Sequence, residues 1–438
     1  MIPEMRRQFN ERFTPQRYID LLRTVDARCQ THVEYRVAET PIFLPLHLLE
    51  EMANAGIELT QALLGNPDYL AAARKAIPPA FNIAGETAQP NFLTADFALV
   101  RDAQGKLTPR LVEIQAFPSV YGYQDVLSAG YQEIFNLPAG LGRFLGGLEE
   151  ASYWGLLGQT VVGSHKAKNV VLMELDPQHQ KTLPDFNVTA QRLGIEVVDI
   201  RDLVPLGNKL HYRGISGALV PIHRIYNRAI ADELMARKVT LPFDLTAAWE
   251  VEWAGHPNWY FLISKFSIPW LSGSCLSGAG GSRPGTACLG AAHPVVPPAV
   301  FLDEFLEGSG RGDLASAGVE LPDETGPGTI YQELLLKPLF SFAGKGIQFE
   351  PSRQDLESIA PAERKNYLLQ QRMRFEPTID TPKGMTQAEI RILYLWPDGG
   401  KLTPALSLVR LGRGKMMGVD HNRNQEWVGA SAAFYPRD

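Results

Sequence analysis

Asp96-Phe-Ala-Leu-Val-Arg101 and Arg110-Leu-Val-Glu-Ile-Gln115 are two short runs rich in apolar and β-branched residues, separated by the turn-rich Ala103-Gln-Gly-Lys-Leu-Thr-Pro109. They predict a β-hairpin. Side chains alternate along a strand, so Glu113 and Gln115 share a face, and Asp96 lies opposite them if the hairpin pairs in that register. Two carboxylates and an amide oxygen on one face of otherwise apolar strands fit a Mg²⁺ ion bridging nucleotide phosphates. A polar edge turned to solvent explains the same alternation.

Outward from the hairpin, apolar residues from Pro45 to Ala73 recur at three- and four-residue intervals (Leu46, Leu49, Met52, Ile57, Leu63), which predicts amphipathic helices. Tyr121 to Leu148 returns to helical spacing. Asn169 to Glu174 reads as a buried strand, Asp185 to Leu193 as a helix with Asp185 or Asn187 near its cap, and Glu196 to Ile200 as a strand. Together they form one βαβ unit. Towards the C-terminus, Pro294–Leu302, Thr329–Leu339, Glu389–Trp396 and Thr403–Leu411 read as strands, and Arg353 to Gln370 as a helix running into a short strand. The fold class is therefore mixed, α/β in the centre and α+β beyond it. Ser272 to Ala292 is built of Gly, Ser, Ala and Cys with Arg283 as its one charge, a low-complexity insertion that reads as a flexible surface segment, a flap over a ligand or a local error in the sequence.

The 438 residues carry 42 Lys plus Arg against 48 Asp plus Glu, a net charge of -6 that supplies no global field for a phosphate backbone, so nucleic acid is not an expected partner. Three cysteines are too few and too scattered for a disulfide framework, which suits a cytoplasmic setting. No secretory leader and no apolar run of membrane-spanning length is visible, so no membrane partner is expected. A homo-oligomer is compatible with the sequence.

Three further constellations carry chemistry. The segment Leu334 to Ile347 is a strand ending in Lys337, followed by a small-residue turn through Gly344-Lys345-Gly346, where backbone N–H groups and two ammonium groups could meet phosphate. A tight surface turn explains the glycines equally. Tyr367-Leu-Leu-Gln370-Gln371-Arg372-Met373 is an apolar strand emerging into amides that could read an adenine edge. Glu389 and Arg391 share one strand face with Arg410 on the next strand, either a structural salt bridge or guanidinium groups aimed at a transferring phosphoryl group.

The order Asp96, Glu113-Ile-Gln115, Arg224-Ile-Tyr-Asn-Arg228, Ser264-Lys265, Lys337-Pro, Gly344-Lys345-Gly346, Gln370-Gln371, Glu389-Ile-Arg391 resembles the ATP-grasp superfamily from about residue 90 onward. More narrowly it is similar to the circularly permuted branch that includes glutathionylspermidine-synthetase-like proteins. The resemblance implies an ATP-grasp fold in which the metal-binding strands come first in the chain. It implies Asp96, Glu113 and Gln115 as Mg²⁺ ligands, although the family usually has Asn where Gln115 stands. Lys265 and Lys337 would contact the phosphates of ATP under the Gly344, Lys345, Gly346 loop, Gln370 and Gln371 would meet adenine, and Arg391 would lie near the transferred phosphate, with Arg410 on the next strand a catalytic candidate from its own position. Arg224 and Arg228 would be carboxylate clamps. An ordinary, unpermuted alignment would instead place the metal on Glu389, Asn422 and Asn424.

The expected organisation is a helical region at 1–90, a metal-binding hairpin with helices at 91–165, a βαβ pre-ATP-grasp-like domain at 166–254, and a nucleotide-binding domain at 255–438. The expected activity is ATP-dependent joining of a small carboxylate to an amine through an acylphosphate. Its alternative is a non-catalytic nucleotide-binding or assembly protein on the same fold. Because Asp96 and Glu113 would serve one ion, Asp96→Asn and Glu113→Gln are expected to have the same, non-additive effect.

Overall fold

The computed structural model describes residues 1–273, 293–323, 326–341, 344–418, 422 and 424–437, so the predicted insertion lies outside the described residues except for Ser272 and Gly273. Ile42–Phe43 (β1), Phe92–Arg101 (β2), Leu107–Gln115 (β3) and Leu141–Gly142 (β4) are the first strands. The middle of the chain forms Val170–Glu174 (β5), Glu196–Asp199 (β6), Val204–Leu206 (β7), Lys209–Arg213 (β8), Leu219–Pro221 (β9), Arg224–Asn227 (β10) and Glu252–Ala254 (β11). Then come Ala299–Phe301 (β12), Leu334–Pro338 (β13), Gln348–Phe349 (β14), Tyr367–Gln371 (β15), Gln387–Leu395 (β16), Thr403–Gly412 (β17) and Gly429–Pro436 (β18).

The central sheet runs β1-β18-β17-β16-β2-β3, with β4 beside β18, so strands from both ends of the chain pair in it. Its hairpin closes where the Asp102 carboxylate accepts from the backbone N–H of Gln104 and Lys106 and Gly105 takes φ +78°. The expected register holds: Asp96 pairs with Glu113, and on the other side of β2 with Arg391 of β16. One residue later the β2–β3 register shifts, Phe97 meeting Leu111, so Val112 is a bulge beside Glu113. The outer edge of β3 is covered, Ala116 N–H donating to Ile263 and Leu111 N–H to Val295.

A second sheet, β11-β10-β5-β6, is wholly parallel, with the helix Leu183–Leu193 crossing from β5 to β6. This is the predicted βαβ unit. A third sheet, β12-β15-β13-β14, is antiparallel and carries Lys337 and Gln370.

Several predicted boundaries move for local reasons. The helix expected from Arg353 ends at Ser358, because Pro361 disfavours helical geometry at the residue before it. The Asp185 helix begins at Leu183 with Pro184 in its first turn, and Asp185 is a buried ion-pair partner rather than a cap. Helical spacing after Tyr121 ends at Ile134, and Pro294–Leu302 shrinks to Ala299–Phe301 because Pro294, Pro297 and Pro298 cannot donate to a ladder.

The helix Leu46–Leu64 lies on the face of the central sheet away from the charged row. Gly56 makes this approach close, since a Cβ there would stand 2.0 Å from the Tyr394 hydroxyl, itself buried and donating to Ala53 and Met52 carbonyls. Gly56→Ala should therefore destabilise by about 1–3 kcal/mol despite its gain in helix propensity, measured as a lowered urea midpoint; an unchanged midpoint would show that the interface can part.

Candidate active site

Glu113, Asp96 and Arg391 are directly opposed neighbours on β3, β2 and β16, so one transverse row of the sheet holds two carboxylates and a guanidinium. Glu389, two residues before Arg391, shares its face and is directly opposed by Arg410 of β17, with which it forms an ion pair. Asp96 is 1% exposed. Its Oδ1 accepts from Arg391 Nε at 2.5 Å, and its Oδ2 from Arg391 Nη2 at 2.6 Å and from Arg410 Nη1 at 3.2 Å. Burial alone would raise the Asp96 pKa, but Arg391 and Arg410 outweigh it and hold the carboxyl below its ordinary range. Glu389 goes the other way, burial pushing its pKa up despite Arg410.

Two lysines approach this row from other elements. Lys265, in the turn between the short helices Trp259–Leu262 and Ser267–Leu271, is held because Ile263 docks on the end of β3. Its ammonium donates to the Ser341 carbonyl at 2.5 Å and stands 3.3 Å from Glu113 Oε2. Lys337, on β13, donates to Gln370 Oε1 at 2.6 Å and to the carbonyl of Val112 at 3.3 Å. The bulge thus presents a carbonyl to a buried ammonium. Burial pushes the Lys337 pKa down to about 8, with Glu113 opposing and Lys265 assisting the shift. Two buried polar atoms at these lysines lack hydrogen-bond partners, Gln370 Nε2 and Ser341 Oγ.

The structure thus brings Asp96, Glu113, Lys265, Lys337, Gln370, Arg391 and Arg410 into one cluster. Gln115 follows Glu113 on the same strand face and is half-buried. Gln371 ends β15 with its backbone N–H on Pro298. Gly344 and Gly346 sit at φ +72° and +77°, and a Cβ on either would press on Met416 or Pro338; Lys345 at the loop tip is exposed. Of the unpermuted metal set, Glu389 is engaged by Arg410, Asn422 donates to carbonyls of its own loop, and Asn424 is exposed. Asp420 and His421 beside them lie outside the described residues.

Fit to a divalent cation divides the predicted ligands. Glu113 keeps its lone pairs open, its neighbours being ion-pair distances of 3.3 and 3.6 Å without hydrogen bonds, whereas both Asp96 oxygens are occupied. Among the described residues no group of three His, Cys, Asp or Glu could hold a metal. The set fits an ion shared with phosphate oxygens and water rather than one caged by protein alone.

The parallel sheet meets the cluster through Ser119, whose hydroxyl accepts from Arg391 Nη1 at 3.4 Å and whose carbonyl accepts from Arg228 Nη1 at 2.8 Å. Arg228 follows the carboxyl end of β10, pairs with buried Asp185 at 2.5 Å, and has an unpartnered Nε. Glu174 ends β5, and burial pushes its pKa up to about 8. Sequence reasoning missed Glu174, Ser119 and Ser341, which no motif spacing marks. Arg224 is a correction. It begins β10 at the far end, away from the cluster, and its donors are taken up within the fold, by the Val161 and Thr160 carbonyls at 3.1 Å, Glu252 at 2.9 Å and Asp398 at 2.8 Å. A concavity of about 590 Å³ around His165, Asn169 and His223 lies at that far end and contains none of the predicted site residues.

No family model matches the chain, and no curated protein matches it. Among solved structures, a glutathione synthetase-like effector from Globodera pallida, in its apo form, aligns over 96% of both chains with a TM-score of 0.56 at 11% identity. A protein provisionally described as a γ-glutamylcysteine synthetase, from Methylobacillus flagellatus KT, aligns over 85% of this chain and 86% of its own with a TM-score of 0.35 at 14% identity. The first likeness shows that the chain has a glutathione synthetase-like fold. No helix among the described residues is long and apolar enough to cross a membrane.

Arg224→Met should lower stability by about 3 kcal/mol, since it strands two buried carbonyls. Urea unfolding checks this, and a variant as stable as the parent would return Arg224 to the candidate binding residues.

Proposed function

We propose that the chain is an ATP- and Mg²⁺-dependent carboxylate–amine ligase on a circularly permuted ATP-grasp fold. The observation that carries the reading is the cluster itself: Lys265, Lys337, Arg391 and Arg410 against Asp96, Glu113 and Glu389, four cations facing three carboxylates. A buried site with a surplus of positive charge favours a polyanion. Lys265 and Lys337 would hold its phosphates, with the unpartnered Ser341 Oγ and Gln370 Nε2 as further donors. Arg391 and Arg410 would face the charge that develops as a carboxylate substrate becomes an acylphosphate, which an amine then attacks with loss of phosphate. Mg²⁺, shared by Glu113, Gln115 and the phosphates, would neutralise charge on the transferring group. Arg228, with its open Nε at the carboxyl end of a parallel strand, would orient the acid substrate.

The second reading, nucleotide binding without catalysis, is favoured by Gln115 in the place where the resembled family has Asn. Stoichiometric ADP release in the presence of a carboxylate and an amine separates the two. A screen of amino acids, short peptides and polyamines in a coupled ADP assay should find a pair that turns over. Nucleotide binding with no ADP release from any pair would favour the second reading.

Glu113→Gln should then reduce turnover by about 100-fold or more while leaving the unfolding midpoint close to wild type. Full activity would remove the metal from this hairpin. Lys337 gives a pH dependence with a defined sign. Facing Glu113, Lys265, Glu389 and Asp96, its ammonium is present below about 8 and lost above it. ADP affinity, measured by calorimetry, should therefore fall as pH rises through about 8, by up to about tenfold per unit, and Lys337→Met should flatten that slope. A slope that persists in Lys337→Met belongs to another group.

A further inference from the structure

The resemblance treats Asp96 as a third ligand of the metal, but its surroundings are those of an arginine anchor. A carboxylate offers roughly four lone-pair positions, and those of Asp96 already receive three N–H donors from two guanidinium groups. Arg391 meets it as a two-pronged fork, Nε and Nη2 on separate oxygens, the arrangement that fixes a guanidinium in orientation as well as in place. Asp96 itself is 1% exposed. The one position left, on Oδ1, would set a dication beside both guanidinium groups, and among the described residues Arg391 has no carboxylate besides Asp96 closer than the 3.6 Å contact to Glu113. Glu113 has looser cationic neighbours, Lys265 at 3.3 Å and Arg391 at 3.6 Å. It is the more exposed of the two and accepts no hydrogen bond from its cationic neighbours.

We propose that Asp96 is the positioning residue of Arg391 and Arg410 and does not ligate the metal, so that Glu113 and Gln115 are the hairpin's contribution to the ion. The transverse row then divides its labour by strand: β3 faces the cation, β16 and β17 face the transferring group, and Asp96 on β2 holds the arginines off the cation. This rests on the nucleotide-dependent reading above.

The test measures metal binding directly, by electron paramagnetic resonance of Mn²⁺ in the complex with a non-hydrolysable ATP analogue, alongside calorimetric affinity for the analogue and turnover. Asp96→Asn should leave Mn²⁺ affinity within about threefold of wild type while turnover falls at least tenfold, because Arg391 loses its fork. Glu113→Gln should weaken Mn²⁺ at least tenfold. The Asp96→Asn, Arg391→Gln double variant guards against a misfolded Asp96 variant, because it removes the carboxylate together with the guanidinium it holds, and its Mn²⁺ affinity should fall by no more than about threefold. Asp96→Asn, or the double variant, losing Mn²⁺ as severely as Glu113→Gln would overturn the inference and leave the ligase reading standing. A wild-type protein that binds neither analogue nor Mn²⁺ would sink the ligase reading, and this inference with it.

Discussion

Two guanidinium groups on one buried carboxylate constrain the whole neighbourhood. Asp96 can satisfy Arg391 and Arg410 together only if β2, β16 and β17 keep their mutual register, since a one-residue slip would turn the charged row to the opposite face and into the apolar layer beneath Leu46–Leu64. Breaking such a contact leaves charges buried without partners, a cost of about 3–5 kcal/mol each time. The cluster thus selects one register out of those the apolar alternation would tolerate. Its lysines need further support from two independent places, the docked turn around Ile263 and the inner strand β13 of the third sheet.

That division explains what could be read in advance. The hairpin was legible because alternation is local: two strand-like runs flank a turn-rich segment, and Glu113 and Gln115 fall on one face, whereas the pairing of Asp96 with Glu113 needs the register shift beside it. So were β16 and β17, whose apolar faces alternate with Glu389, Arg391 and Arg410. The bulge at Val112 was not legible, because nothing in Leu-Val-Glu-Ile-Gln distinguishes a regular ladder from one with an inserted residue; the tertiary partner Lys337 uses the carbonyl that the bulge presents. Nor could spacing say that Gln370 would hold Lys337 rather than turn its amide oxygen elsewhere, a contact across 33 residues that depends on the β13–β15 register. Asp96 and Glu113 differ in their surroundings for a related reason. Sequence shows two acids on one face, and only packing shows which of them the arginines take.

Arg224 and Arg228 carry the argument one step further, because they bracket a single strand and have the same side chain. Both are buried and both carry an ion pair, yet Arg224 has its donors filled by backbone carbonyls and two exposed acids, while Arg228 retains an unpartnered Nε. The difference follows from the ends of a parallel sheet. At the amino end of β10 the neighbouring helix Glu150–Val162 terminates against the strand and offers its last carbonyls, Thr160 and Val161, to a cation. At the carboxyl end the chain leaves β5 and β10 in loops that diverge, and polar groups there meet Ser119 and the charged row of the central sheet instead of a helix. An arginine at the first end completes a helix terminus, and an arginine at the second is left one donor short. Only the second stands where the parallel sheet and the charged row share a residue, Ser119, whose carbonyl accepts from Arg228 and whose hydroxyl accepts from Arg391.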